Sequence, residues 1–213
     1  IYRNETVEAY MHFLHQAFMT CGLPLEIYVD HARIFEGNKE NSTTRLAWRL
    51  KFYEISFLFA DSPEAKGKVE RIHQIWQDRL PAYFRLNGLT MQSNLEDVDR
   101  HVDALREHRN CHEKHRELKI CPQVAWNEAI AQGRTKLRPV PREPWWNYVW
   151  STFNNVVIAQ GGYVYYKNER LPTRAEPGTR AVLCEHLDGT LSIIKERPDK
   201  SRFPVVFFTN RPG

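Results

Sequence analysis

The sequence predicts an α/β chain continued by further helices and ending in a small β-barrel. Three observations predict it: strand and helix patterns alternate over roughly the first 90 residues, a basic proline-rich stretch falls near residue 140, and β-prone runs follow it. A length of 213 residues leaves room for one ordinary domain and a small second one, and 42% hydrophobic with 26% charged residues is globular composition. Residues 1–90 are assigned to the α/β part, 91–132 to a helical segment, 133–150 to a linker and 151–213 to the barrel. No apolar run approaches the roughly 20 residues that span a bilayer, so the expectation is a cytoplasmic protein without membrane contact. Cys21, Cys111, Cys121 and Cys184 are scattered without paired spacing, as reduced thiols are.

Taken in order, Val7, Met11, Leu14 and Phe18 recur at helical spacing behind the N-cap candidate Asn4, and Gly22 stops that helix. Residues 25–30 form a short β-rich run ending in Asp30. Leu46, Leu50 and Tyr53 suggest a helix over 43–52, and residues 55–59 a buried strand. Ser62 suits an N-cap and Pro63 a first helical position. Ala65, Val69, Ile72, Trp76 and Leu80 then give the next helix a buried stripe with Glu70 at its edge. Leu95, Val98, Val102 and Leu105 mark another helix capped by Ser93, and a shorter one follows Pro122. Residues 134–144 carry three prolines and four basic side chains, which favours an extended linker. Beyond it, residues 154–158, 162–167, 180–186 and 190–195 are β-prone, with Asp188-Gly189 as a hairpin cue.

The chemistry concentrates on two carboxylates. Ligands and catalytic groups collect at the carboxyl ends of strands in open α/β sheets, where Asp30 stands. Glu70 shares a helix flank with Lys66 and His73, which sets an acid on a cationic surface. With 39 residues between them, Asp30 and Glu70 can converge on a divalent cation, Mg²⁺ or Mn²⁺, because hard ions take oxygen ligands and share them with phosphate. The plainer readings are a solvated helix face for Glu70 and a turn-forming Asp for Asp30.

The run from Gly22 to Phe35, and the run from Ser62 to Arg71 followed by Gln77-Asp78-Arg79-Leu80, resemble the integrase-core transposases of bacterial insertion sequences. These are relatives of retroviral integrases with an RNase H-like fold. The resemblance spans about residues 1–120. It implies that Asp30 and Glu70 are the second and third members of an Asp-Asp-Glu metal triad, that Lys66 lies close to DNA, and that the chain works by metal-dependent DNA cleavage and strand transfer in a self-associating complex. Lys68 and Arg71, on the same helix, are further candidate DNA contacts. The family's first Asp has no counterpart, since the acids among residues 1–29 are Glu5, Glu8 and Glu26. The helix around Glu5 and Glu8 resembles the one after the family's first three strands. With an initial Ile, this gives the expectation of a C-terminal portion that is inactive alone. The final strands resemble, more weakly, the SH3-like barrels of transposases and integrases.

The net charge of +4 is uneven. Residues 133–213 hold 13 Lys and Arg against 7 Asp and Glu, a balance of +6, and residues 1–132 hold 17 against 19, a balance of −2. A basic C-terminal third attracts double-stranded DNA, with Arg134, Lys136, Arg138 and Arg142 as linker contacts. Acidic proteins would be attracted as well, and a barrel can serve multimer contacts alone. Trp145, Trp146, Tyr148 and Trp150 can stack on bases or fill a core. His108, Cys111, His112, His115 and Cys121 lack zinc spacing. Two classes stay open: part of a DNA strand-transfer enzyme, or a non-catalytic DNA-binding or assembly module from a decayed element.

Overall fold

The structure, a computed structural model, describes residues 4–36, 44–59, 63–142, 145–198 and 205–210, with the side chains of residues 63–66, 68, 69 and 210 outside that description. Contacts divide the chain into two compact units. The first, called the helical unit, is Ile1–Asn4, Tyr28–Ala32 and Leu58–Leu137. The second, called the core unit, is Glu5–Ile27, Arg33–Phe57 and Arg138–Gly213.

The core unit begins with helix α1 (Val7–Cys21). Its cap is Thr6 rather than Asn4: the Thr6 hydroxyl accepts from the Ala9 N–H at 3.1 Å, satisfying one of the free donors of the first turn. Gly22 ends it at φ +90°, as the sequence predicts, and its N–H returns to the Phe18 carbonyl. Helix α2 (Arg33–Glu36) is one short turn. Helix α3 (Arg45–Phe52) is capped by Thr44, whose hydroxyl accepts from Ala47. Met11, Leu14 and Phe18 of α1 meet Leu46 and Leu50 of α3, with Leu23, Tyr53 and Ile55, in one core.

Trp146, Val149 and Trp150 complete that core from the short helix α7 (Trp145–Val149) and the residue after it. The tryptophans are therefore core, and Trp150 is fully buried. The Trp146 Nε1–H donates to His15 Nε2 at 2.7 Å, which settles the polar end of a ring otherwise among apolar neighbours.

The strands of the core unit make two sheets. One is antiparallel with order β3-β6-β7-β8, from β3 (Thr152–Val157), β6 (Arg180–Glu185), β7 (Leu191–Ile194) and β8 (Val206–Asn210). The other is the hairpin of β4 (Tyr163–Tyr166) and β5 (Glu169–Pro172). These are two separate sheets among the described residues, not strands joined into one closed ladder. Central strand β6 is buried on both faces. Ala181 and Leu183 pack with Ile158, Val164, Leu171, Leu191 and Ile193, while Val182 and Cys184 pack with Ile194, Tyr148 and Phe153. The Asp188-Gly189 cue holds: the Thr190 N–H and hydroxyl both donate to Asp188 Oδ1, and Gly189 sits at φ +81°.

The helical unit is built from α4 (Pro63–Leu86), α5 (Leu95–His112) and α6 (Pro122–Ala131). Pro63 opens α4 as expected, and the Ser62 cap lies outside the described residues. Gly88 at φ +68° follows its last turn. Asn94, not Ser93, caps α5 by accepting from Glu96. The expected buried stripe of α4 is not buried where it is described: Ile72 is 50% exposed, and Trp76 and Leu80 are half-buried. Polar contacts tie the helices. Arg79 binds both carboxylate oxygens of Glu113, at 2.7 and 2.8 Å, and Tyr83 meets His101. No helix among the described residues is long and apolar enough to cross a membrane.

Candidate functional site

Strands β1 (Glu26–Val29) and β2 (Ser56–Phe59) pair in a two-stranded sheet. At their beginnings the Ser56 N–H donates to the Leu25 carbonyl at 3.0 Å. At their ends the His31 ring stacks on Phe59, with centroids 5.2 Å apart and 21° between planes. Starts meet and ends meet, so the strands run the same way, which the long connection between them allows.

Asp30 stands where this sheet ends. It is exposed, and its Oδ1 accepts from the Ala32 N–H at 3.2 Å. This Asx turn closes the strand and leaves the rest of the carboxylate open to solvent. Glu70, exposed on α4, belongs to the helical unit, as Asp30 does. The unit therefore holds both predicted acids, each with a solvent-accessible carboxylate. His31, which the residue pattern did not single out, joins the Asp30 strand end to Phe59 by stacking. An imidazole directly after a strand-end Asp is the signal that would have flagged it.

As oxygen donors, Asp30 and Glu70 suit Mg²⁺ or Mn²⁺. Among the described residues no group of three or more His, Cys, Asp or Glu side chains is placed to hold a metal. That applies equally to the His108–Cys121 stretch, where His108 and His112 merely sit with ring centroids 5.3 Å apart.

The predicted DNA contacts fall into different settings. The Lys66 and Lys68 side chains lie outside the described residues. Arg71 is exposed and 3.7 Å from Glu117, a contact that water screens strongly. Arg134, Lys136 and Arg142 are exposed, and Arg134 donates to the Gln132 side chain at 2.8 Å. Arg138 is different. Its backbone exchanges two 2.8 Å hydrogen bonds with Leu23, and its half-buried guanidinium donates to the Tyr53 carbonyl and lies 3.6 Å from Glu54. It fastens the extended stretch to the core unit, and its charge is partly engaged there.

His186 and Cys184, buried elsewhere, are structural. His186 lies between Ser151, at 2.7 Å from Nδ1, and Ser192, at 2.9 Å from Nε2. Burial holds its pKa below the usual histidine value. The Cys184 thiol is pushed up to about 12 by burial, which leaves it unreactive.

No protein-family model matches the chain. It is 32% identical over 94 residues to the transposase for insertion sequence IS1202 of Streptococcus pneumoniae, covering 41% of this chain and 20% of the relative. It is likewise 32% identical over 92 residues to the predicted transposase y4bF of Sinorhizobium fredii, again covering 41% and 20%. The chain thus matches about a fifth of the length of these curated relatives. A chain in the cryo-EM structure of a simian T-cell lymphotropic virus intasome with PP2A regulatory subunit B56 gamma aligns over 100% of this chain and 67% of its own. The TM-score is 0.48 and the identity 17%, too loose a likeness to place the fold. These comparisons make the chain similar to bacterial transposases over part of its length.

Proposed function

We propose that this chain is part of a DNA transposase with an RNase H-like core, in which Asp30 and Glu70 hold Mg²⁺ or Mn²⁺ for DNA cleavage and strand transfer. The observation that carries this reading is the 32% identity over 94 residues to an insertion-sequence transposase. The exposed strand-end Asp30 and the exposed Glu70 within one unit support it.

When bound, the metal would activate water or a 3′-hydroxyl and stabilise the leaving oxygen. The chain's own work is to present the ligands. The Ala32 N–H orients one oxygen of Asp30 and leaves the other for a cation. Helix α4 carries Glu70, with Lys66, Lys68 and Arg71 close in sequence on the same helix to attract phosphates. Arg134, Lys136 and Arg142 extend that attraction along the basic segment, with Arg138 serving mainly as its fastening. The C-terminal strands would bind double-stranded DNA in the manner of an SH3-like barrel, and the complex would contain more than one copy. Two carboxylates alone hold a cation weakly beside phosphate charge, so the reading requires a further acid, and nicking by this chain alone should be negligible.

The test is nicking of supercoiled plasmid in Mg²⁺ by the chain joined to an upstream segment that carries the family's first Asp. Nicking that disappears in Asp30→Asn and Glu70→Gln is the expected result, because each amide keeps shape but loses the charge. Strong nicking that survives Glu70→Gln would mean other residues do the chemistry.

A further inference from the structure

We propose that α1, α3 and β3 of the core unit enclose a binding site for a phosphoryl oxyanion, held by Arg45, Arg49 and Arg197. The cavity measures about 180 Å³, and these arginines line it together with Glu8, Trp48 and Phe153. That is several times the roughly 30 Å³ a water molecule takes in the liquid, and below the about 300–1,000 Å³ typical of larger ligand pockets. The size fits a single tetrahedral oxyanion with a little water.

Arg49 is the centre of the argument. It is only 2% exposed, and its guanidinium donates to the backbone carbonyls of Arg45, at 2.7 Å, and Ser151. Carbonyls satisfy protons but do not cancel a full charge, and Nε has no hydrogen-bond partner. Buried cations ordinarily require an anion. Instead Arg49 lies over the Phe153 ring at 5.5 Å, and Arg197 lies over the same ring at 5.3 Å.

The acid present, Glu8, sits 3.9 Å from Arg45, with both side chains more than half exposed, and contributes little. Three guanidiniums against one carboxylate leave +2. Burial first, and then repulsion from Arg45 and Arg197, lowers the Arg49 pKa to about 10, so it stays charged at neutral pH. A doubly charged phosphoryl group balances the +2, and guanidinium forks match its oxygens. The site stands independently of the transposase reading. Its ligand can be free phosphate, whose dianion cancels the +2, or one phosphodiester of a nucleic-acid backbone, whose single charge cancels half of it.

The experiment uses the full chain and inorganic phosphate at fixed ionic strength, followed by ³¹P line broadening and calorimetry. Arg45 and Arg197 are exposed, so Arg45→Gln and Arg197→Gln test the site without disturbing Arg49. Saturable binding is expected, weakened tenfold or more by each change and strengthened by Glu8→Gln, which removes the competing acid. Absence of saturable binding, or binding unchanged in the Arg45→Gln/Arg197→Gln double variant, overturns the proposal. A short DNA duplex then identifies the source. Displacement of phosphate by the duplex supports the site as a seat for a backbone phosphate, and retention supports it as a seat for a free one. Failure of the chain joined to the upstream acid-bearing segment to nick plasmid, with phosphate binding intact, would count against the transposase reading alone.

Discussion

The core unit and the helical unit both expose apolar side chains, but they differ in what they bury. All the fully buried hydrophobic side chains among the described residues, from Met11 to Ile194, belong to the core unit. The helical unit leaves Ile72 50%, Leu86 86%, Met91 98% and Ile130 50% exposed. Hydrophobic burial is the dominant favourable term in folding, so the core unit should carry nearly all the stability of this chain. The helical unit holds the two candidate catalytic acids on elements tied by surface ion pairs such as Arg79–Glu113, each worth about 0–1 kcal/mol. On the proposed reading of Asp30 and Glu70, chemistry and stability are lodged in different parts of the molecule.

The largest effect that can break this comparison is a core truncation. Trp150→Ala removes a fully buried ring that packs edge-on against Phe18 and Trp146, and should cost about 3–5 kcal/mol. Met91→Ala, at 98% exposure, should change stability by less than about 0.5 kcal/mol. Denaturant melts of the two variants decide it, and comparable losses would mean that the helical unit hides a core of its own.

Much of this architecture was legible in the chain. Helical spacing placed α1, α3, α4 and α5, Pro122 announced α6, and β-prone runs with turn signals placed β1, β2, β3, β4, β6 and β7. Strand β2, expected to be buried, is partly exposed because it pairs only with β1 among the described residues. What escaped had specific causes. Strand β5 follows a tight turn at Lys167 and Asn168, both at positive φ, +47° and +67°, a mirror-image turn made without the glycine that usually announces it. Strand β8 is a plain β-prone run, Val206 to Thr209, as legible in the residues as the strands before it. The caps moved because Thr6 and Asn94 compete with Asn4 and Ser93 as equally suitable hydrogen-bond acceptors, and only the backbone path decides between them. Arg49 looks like any helix-surface arginine beside Trp48. Its burial comes from Ser151 and Phe153, about a hundred residues away, and no local pattern encodes that contact.

Amide hydrogen exchange sharpens the comparison next. Amides of β6 and β7, between buried layers, should exchange last, and those of α4 and α6 earliest, because local opening is cheap where few apolar contacts are lost. Uniform protection across both units would contradict the division. The exposed apolar side chains of the helical unit should also promote association, visible as light scattering that rises with concentration.

A smaller effect is set by pH. His15 accepts a hydrogen bond from Trp146 through Nε2, and burial, helped by His12, keeps its pKa below 6.5. His186 is held low mainly by burial as well. The unfolded chain therefore takes up protons at about pH 6.5, before the folded one does. Stability should be complete above that value and fall as the pH drops below it. Thermal melts between pH 7.5 and 5.5 should show the decline, and His186→Gln should flatten part of it. A melting temperature that stays level over that range would mean that both histidines protonate without penalty.

The smallest expected change in stability belongs to Glu70→Gln. Glu70 is exposed on α4, and helical propensities of Glu and Gln are nearly equal, so its loss should shift the unfolding free energy by less than about 0.5 kcal/mol. The same substitution is expected to abolish Mg²⁺-dependent nicking once the missing acid is supplied. Activity lost without stability would mean that the helical unit presents Glu70 for chemistry rather than for packing. A loss of several kcal/mol would instead make Glu70 a structural residue. Any fall in nicking would then reflect a disturbed α4, and the assignment of Glu70 as a metal ligand would have to be abandoned.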